Sequence, residues 1–122
     1  MKKKIIGLQN VEHAWQGIKL AFKYERNFKI EVICAVVVIL ILFFLKGSMQ
    51  DFLVILAVIF TILITELINT SIERLVDMIQ PNEHPHAKIV KDMSAGFVLL
   101  AVIFSVFIGV VIFYPLIVSK FL

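Results

Sequence analysis

The chain has 122 residues, 61% of them apolar, with a formal net charge of +3 and a mean hydropathy of +1.00. That length allows one domain at most, and apolar usage so far above the about 45–50% of soluble domains excludes an ordinary water-soluble fold. The basic residues collect toward the amino-terminal end and form no polar groove, which argues against nucleic acid as a partner. The single cysteine, Cys34, excludes a disulfide framework.

Lys2, Lys3 and Lys4 look like the basic start of a secretory signal, but Ile5-Ile6-Gly7-Leu8 is too short for its apolar core. The segment is therefore expected to stay in the mature protein. From about residue 8 to 27, Val11, Ala14, Trp15, Ile18, Ala21 and Phe22 recur at helical spacing, with Glu12, Gln16, Lys19, Lys23 and Arg26 mostly between them. A basic face opposite Trp and Phe predicts an amphipathic helix lying in the membrane surface.

Three apolar stretches follow. Val32–Leu45 is short for a span, which needs about 20 residues, but Phe28, Ile30 and interfacial Lys29 and Glu31 extend it. Phe52–Ile64 is apolar and then turns amphipathic as far as Ile79, and Ala95–Val118 carries Pro115 near its end. The predicted spans are about 28–46, 52–79 and 87–115, giving an all-α membrane protein of a single domain over 1–122. The short connection Lys46–Asp51 holds Gly47 and Ser48 and predicts a tight turn. The loop Gln80–His86, with Pro81, Asn82 and Pro85, breaks the helix. Lys2, Lys3, Lys4, Lys19, Lys23, Arg26 and Lys29 precede the first span, and Arg74, Lys88 and Lys91 flank the second loop. Lys46 stands alone in the first loop, and Lys120 follows the third span. The positive-inside rule then puts the amino terminus and the second loop in the cytoplasm, and the carboxy terminus outside.

The second span carries the chemistry. Ionisable residues inside membrane helices are costly and by default mark function. At about 100° per residue, Asn69, Thr70, Glu73 and Asp77 all fall within about 60° of Glu66, making one polar stripe. Counting about 1.5 Å per residue from Phe52, Glu66 lies about 21 Å in and Glu73 about 32 Å in, against a hydrocarbon core of about 30 Å. Glu73 then sits at the cytoplasmic interface, within reach of a hydrated metal ion and a water-soluble nucleotide. Glu66 lies deeper, where a base could take the proton of a lipid hydroxyl, a poor nucleophile without one. Interhelical hydrogen bonding would explain Asn69 and Thr70, but not two glutamates and an aspartate in line with them.

Other polar residues gather at the same face: Glu25 and Glu31 around the start of span one, Glu83, His84 and His86 in the loop, and Lys91 and Asp92 before span three. Glu25 with Glu73 could hold Mg2+, which prefers one or two carboxylates plus substrate phosphates, and Lys91 could neutralise phosphate as a point charge. His84 and His86, between prolines, read first as loop residues, and Glu31 could merely cap or snorkel. Neither a GxxxxGK[ST] loop nor a protein-kinase signature is present, so an ATP site here must be built from carboxylates and helix ends.

Glu66-Leu67-Ile68-Asn69-Thr70-Ser71-Ile72-Glu73, then Asp77, Ala87-Lys88 and Lys91-Asp92-Met93-Ser94-Ala95-Gly96 resemble the signature of the bacterial diacylglycerol kinase and undecaprenol kinase family. Trp15, Gly17, Glu25, Asn27, Phe28 and Glu31 also fit, so the resemblance runs from about Val11 to Pro115; Met1–Asn10 has no match. It implies a small homotrimeric lipid kinase of the bacterial plasma (inner) membrane, with a surface helix ahead of three spans. By position, Glu66 matches the general base, and Glu25 and Glu73 match the ligands of Mg2+ and ATP. Asn69, Asp77, Lys91 and Asp92 match polar active-site positions, while His13, Asn82, Glu83 and His84 fall where relatives contact nucleotide. Glu25-Arg26-Asn27-Phe28 and the ending Gly109–Pro115 look like the Gram-positive branch, which implies undecaprenol as acceptor, with diacylglycerol as the alternative.

A different class stays open at this stage: a proton-coupled transporter or channel subunit. Its permeation path would need polar groups across the full depth of the membrane, whereas these charges collect at one face. A trimer also has a physical motive, because three helices can hardly shield the stripe from lipid, and a neighbouring subunit would share the site. Ala57, Ala95, Gly96, Ala101, Ser105 and Gly109 would allow close helix approach.

Overall fold

The computed structural model describes residues 7–122; the basic run Lys2–Lys4, used above for orientation, lies outside them. Four helices follow in order: α1 (Leu8–Tyr24), α2 (Arg26–Phe44), α3 (Met49–Ile79) and α4 (Pro85–Phe121). The last three are long and apolar enough to cross a membrane. With 31 and 37 residues, α3 and α4 measure about 46 and 56 Å at about 1.5 Å per residue. Both exceed the about 30 Å of hydrocarbon, so their ends reach into the interfacial zone.

Local chemistry explains each boundary. Glu25 alone separates α1 from α2: its backbone is extended (φ −99°, ψ 110°), its N–H closes α1 on Ala21 at 2.8 Å, and its carbonyl opens α2 by accepting from Lys29 at 3.2 Å. The surface segment expected to run to residue 27 therefore leaves the helix at 25. A Schellman motif ends α2, with Gly47 N–H on the Leu42 carbonyl and Lys46 N–H on that of Phe43, both at 3.0 Å. Lys46 takes the left-handed conformation (φ 58°), and a Cβ on Gly47 would stand 2.5 Å from Leu42 Cδ1. The next helix begins with a capping box, Ser48 Oγ accepting from Asp51 N–H at 3.1 Å and Asp51 Oδ2 accepting from Ser48 N–H at 2.9 Å. Pro85 occupies the first turn of α4, where its missing N–H costs nothing. That helix continues through Pro115 to Phe121, beyond the predicted end at 115. Loss of one backbone bond at Pro115 is tolerated in apolar helices of this kind, whose other backbone groups stay paired.

The main packing surface is α3 against α4, with α2 against α3 next and α1 touching α2 only lightly. Leu42, Phe28, Ile55 and Val58 are buried among the helices, but most large apolar side chains are not. Leu40, Phe43, Phe44, Leu100, Phe104 and Phe107 face outward, while Glu66, Asn69 and Ser94 are buried between helices. Such an outer surface is stable only against lipid, where apolar side chains lose nothing by exposure. Lys120 ties the far ends of the bundle together: its Nζ donates to the Phe44 carbonyl at 3.0 Å and lies 4.2 Å from the centre of that ring.

Candidate active site

Two polar clusters lie toward the end of the bundle where α3 passes into α4. The first is built on the α3 face carrying Glu66, Asn69 and Glu73. Glu66 is 4% exposed. Facing it from α2 is Glu31, close enough for a carboxyl–carboxyl hydrogen bond, with Glu73 and Glu25 within Coulombic range. Glu25 comes from the break between α1 and α2, so that break aims a carboxylate at α3. Arg74 meets it there, Nη2 to Oε1 at 2.8 Å. Among the described residues, no other cation is paired with these four carboxylates.

One turn beyond Glu66, Asn69 is held from α4 by Ser94, whose Oγ donates to Oδ1 at 2.8 Å in the buried interface. That bond engages the amide oxygen and leaves the amide N–H donors directed elsewhere. Thr70, on the same stripe, is half-buried.

The second cluster surrounds an open cavity of about 750 Å³ at the α3–α4 loop, lined by Asp77, Gln80, Asn82, Glu83, His84, Lys88, Lys91 and Asp92 among others. Lys91 Nζ pairs with Asp77 Oδ1, tying α4 to α3, and Lys88 pairs with Asp92 one turn apart on α4. His84 caps α4, its Nδ1 accepting from His86 N–H at 3.2 Å, and the Asn82 carbonyl accepts from Gln80 Nε2 at 3.4 Å. Glu83 is exposed. Free N–H groups and the positive end of a 37-residue helix face this region, a setting that favours phosphate. His13 stands apart: it is exposed on α1, and among the described residues no hydrogen bond or ion pair links it to either cluster.

The oxygen donors of the first cluster are of the kind Mg2+ takes. Among the described residues no three His, Cys, Asp or Glu side chains converge on one metal position. The carboxylates are nevertheless all hard oxygen donors, and Glu31 Oε2 is buried with no hydrogen-bond partner. Mg2+ is commonly held by one or two carboxylates with phosphates and water completing the shell.

An apolar cavity of about 540 Å³ runs between α2, α3 and α4 from Glu31 past Cys34, Ile59, Ile62 and Val102 to Phe113. One end thus meets the Glu31–Glu66 pair, and the rest is lined almost wholly by hydrocarbon.

Arg74 and Ser94 had no site role in the sequence, and Glu31 had a place at this face but no assigned part. Arg74 served there only as an orientation charge, Ser94 only as one letter of a motif, and Glu31 as a cap or snorkelling residue. Adjacency to Glu73 was the only hint for Arg74. Ser94 had none, because its partner lies on another helix.

The pattern of residues 12–113 matches the family model described as prokaryotic diacylglycerol kinase. The chain belongs to that family. It is therefore a membrane lipid kinase using ATP, which settles the choice between enzyme and transporter. Among its relatives, the undecaprenol kinase of Bacillus subtilis (strain 168) is 37% identical over 103 residues, 84% of each chain. The diacylglycerol kinase of Synechocystis sp. is 36% identical over 109 residues, 88% of this chain and 62% of that one. The diacylglycerol kinase of Escherichia coli (strain K12) is 27% identical over 94 residues, 77% of each.

Proposed function

We propose that the chain transfers the γ-phosphoryl group of ATP to the hydroxyl of undecaprenol, giving undecaprenyl phosphate and ADP. The observation that carries this reading is the buried Glu66, in range of Glu25 and Glu73 on one side and close to an apolar cavity on the other. The part of the acceptor nearest its hydroxyl lies in that cavity, the rest of its chain stays in the bilayer, and the hydroxyl passes Glu31 to reach Glu66. The hydroxyl oxygen attacks the γ-phosphorus, the bond to the bridging oxygen of ADP breaks, and Glu66 takes the proton. Glu25 and Glu73 would hold Mg2+, which would offset charge on the phosphates. Lys91, with Asp77 and Asp92 fixing the lysine pair at the α3–α4 junction, gives the phosphates a positive neighbour. Asn69 orients polar groups beside the base, and Asn82, Glu83 and His84 flank the nucleotide in the larger cavity. His13 would join them only from another subunit, since in its own chain it stands away from both clusters.

The membrane arrangement follows. The amino terminus and the α3–α4 loop face the cytoplasm, the carboxy terminus faces outward, and α1 lies in the membrane surface with Val11, Trp15, Ile18 and Phe22 against lipid and Lys19 and Lys23, at the edge of that face, reaching up to water. A homotrimer covers the part of the α3 polar face that the single chain leaves open, from Thr70 to Asp77, and shares active sites between neighbours. This whole unit, 1–122, works as one domain.

Identity to the Bacillus undecaprenol kinase over 84% of both chains favours the polyprenol. The second reading, diacylglycerol, is favoured by the 36% identity to the Synechocystis enzyme. Purified protein given magnesium ATP and either alcohol in identical mixed micelles tests the choice by the lipid phosphate formed. Faster turnover of diacylglycerol at equal mole fraction would reverse the assignment.

A further inference from the structure

Glu25 is a ligand for Mg2+ in the reading above, yet one of its oxygens is already engaged. Arg74 Nη2 sits 2.8 Å from Glu25 Oε1, and the contact is a single bond and not the two-pronged fork that a structural Arg–carboxylate pair usually makes. Arg74 itself is open to water, its side chain 65% exposed against 27% for Glu25. A single exposed ion pair is cheap to break. The position matters more than the strength. Glu25 is the one non-helical residue between α1 and α2, and α1 otherwise packs only lightly, on α2. The pair therefore ties the α1–α2 break to α3 beside Glu73.

Resting on the assignment of Glu25 as a metal ligand, we propose that Arg74 is an internal stand-in for the divalent cation. It neutralises Glu25 while the metal is absent and is displaced when the metal binds. The physical reason is charge: Glu25, Glu31 and Glu73 all lie within range of Glu66, and among the described residues the cation paired with any of the four is Arg74, on Glu25. Arginine and metal thus compete for one oxygen, so metal binding releases both the guanidinium and the latch on the α1–α2 break. The freed guanidinium remains one residue from Glu73, where its donors can turn to phosphate oxygens.

The test is direct metal binding by the full chain in micelles without nucleotide, using Mn2+ and the loss of its free electron-paramagnetic-resonance signal. Four proteins are compared: the unsubstituted chain, R74Q, E25Q and R74Q/E25Q. Competition predicts that R74Q binds Mn2+ several-fold more tightly and that this gain disappears in the E25Q background. A gain that persists in R74Q/E25Q shows a general charge effect and overturns the competition, as does R74Q binding no more tightly than the unsubstituted chain. If E25Q alone leaves Mn2+ affinity unchanged, the ligand assignment beneath the proposal fails and the proposal fails with it. Weaker binding in E25Q with no effect of R74Q would retain the ligand and reject the stand-in. Arg74 is exposed, so R74Q is expected to fold.

Discussion

Ser94 Oγ on α4 donates to Asn69 Oδ1 on α3 at 2.8 Å, and both residues are buried, Ser94 at 2% exposure. The bond joins the two longest helices at the level of the carboxylate cluster. It also fixes which end of the Asn69 amide faces the site. Ser94→Ala should remove the bond and leave the amide oxygen unpaired. The expected loss is about 0.6 kcal/mol and at most about 1.7 kcal/mol, the range for hydrogen bonds between membrane helices. Equilibrium unfolding in micelles measures it, and Ser94→Thr should restore most of the loss.

Glu66 and Glu73 should fail in different ways. Glu66→Gln removes the proton acceptor, so turnover should fall by about 10²–10⁴-fold while ATP still binds. Glu73→Gln should instead raise the metal–nucleotide concentration needed for half-maximal rate. Nucleotide binding measured separately from turnover distinguishes them. Near-normal turnover in Glu66→Gln would remove it as the base.

Lys91 pairs with Asp77 across the α3–α4 junction beside the larger cavity. Lys91→Met should weaken ATP binding by about tenfold or more, the cost of one charge-assisted hydrogen bond at about 1.5–3 kcal/mol. The expected signature is a raised KM for ATP. An unchanged KM with a lowered unfolding temperature would assign Lys91 to the junction alone.

At the opposite end of the bundle, Gly47→Ala should destabilise the fold without touching the chemistry. Its Cβ would lie 2.5 Å from Cδ1 and 2.9 Å from Cγ of Leu42, and Leu42 is fully buried. Overpacking of this kind costs about 1–3 kcal/mol. Thermal unfolding should report the loss, with activity per folded molecule unchanged.

Lys120 offers a contrasting test far from both polar clusters. It caps the carboxy-terminal end of α2 through the Phe44 carbonyl, where cations are worth about 0.3–1 kcal/mol. Lys120→Gln should lower stability by that amount and leave KM for both substrates unaltered.

The span pattern and the polar stripe were legible in the chain because both are local properties. Hydropathy marks helices that must satisfy their own backbone in lipid, and helical periodicity alone puts Glu66, Asn69, Glu73 and Asp77 on one face. The turn at Gly47–Ser48 was equally local, its residues carrying the capping box and the Schellman bond. The ends of elements were less legible: the break fell at Glu25, and α4 ran past Pro115 because a proline in an apolar helix forfeits one hydrogen bond without ending it.

What the sequence determined by itself, then, was an all-helical membrane chain with acidic residues on one side of its longest amphipathic span, and motifs specific enough to suggest a lipid kinase. What only the tertiary structure decided was the pairing. Arg74 meets Glu25 across 49 positions, Ser94 meets Asn69 across 25, and Lys91 meets Asp77 across 14. Glu31 turns from a boundary residue into the neighbour of Glu66. Periodicity fixes the direction of a side chain about its own helix axis, but a contact between helices depends on how those axes are set against each other, and packing decides that.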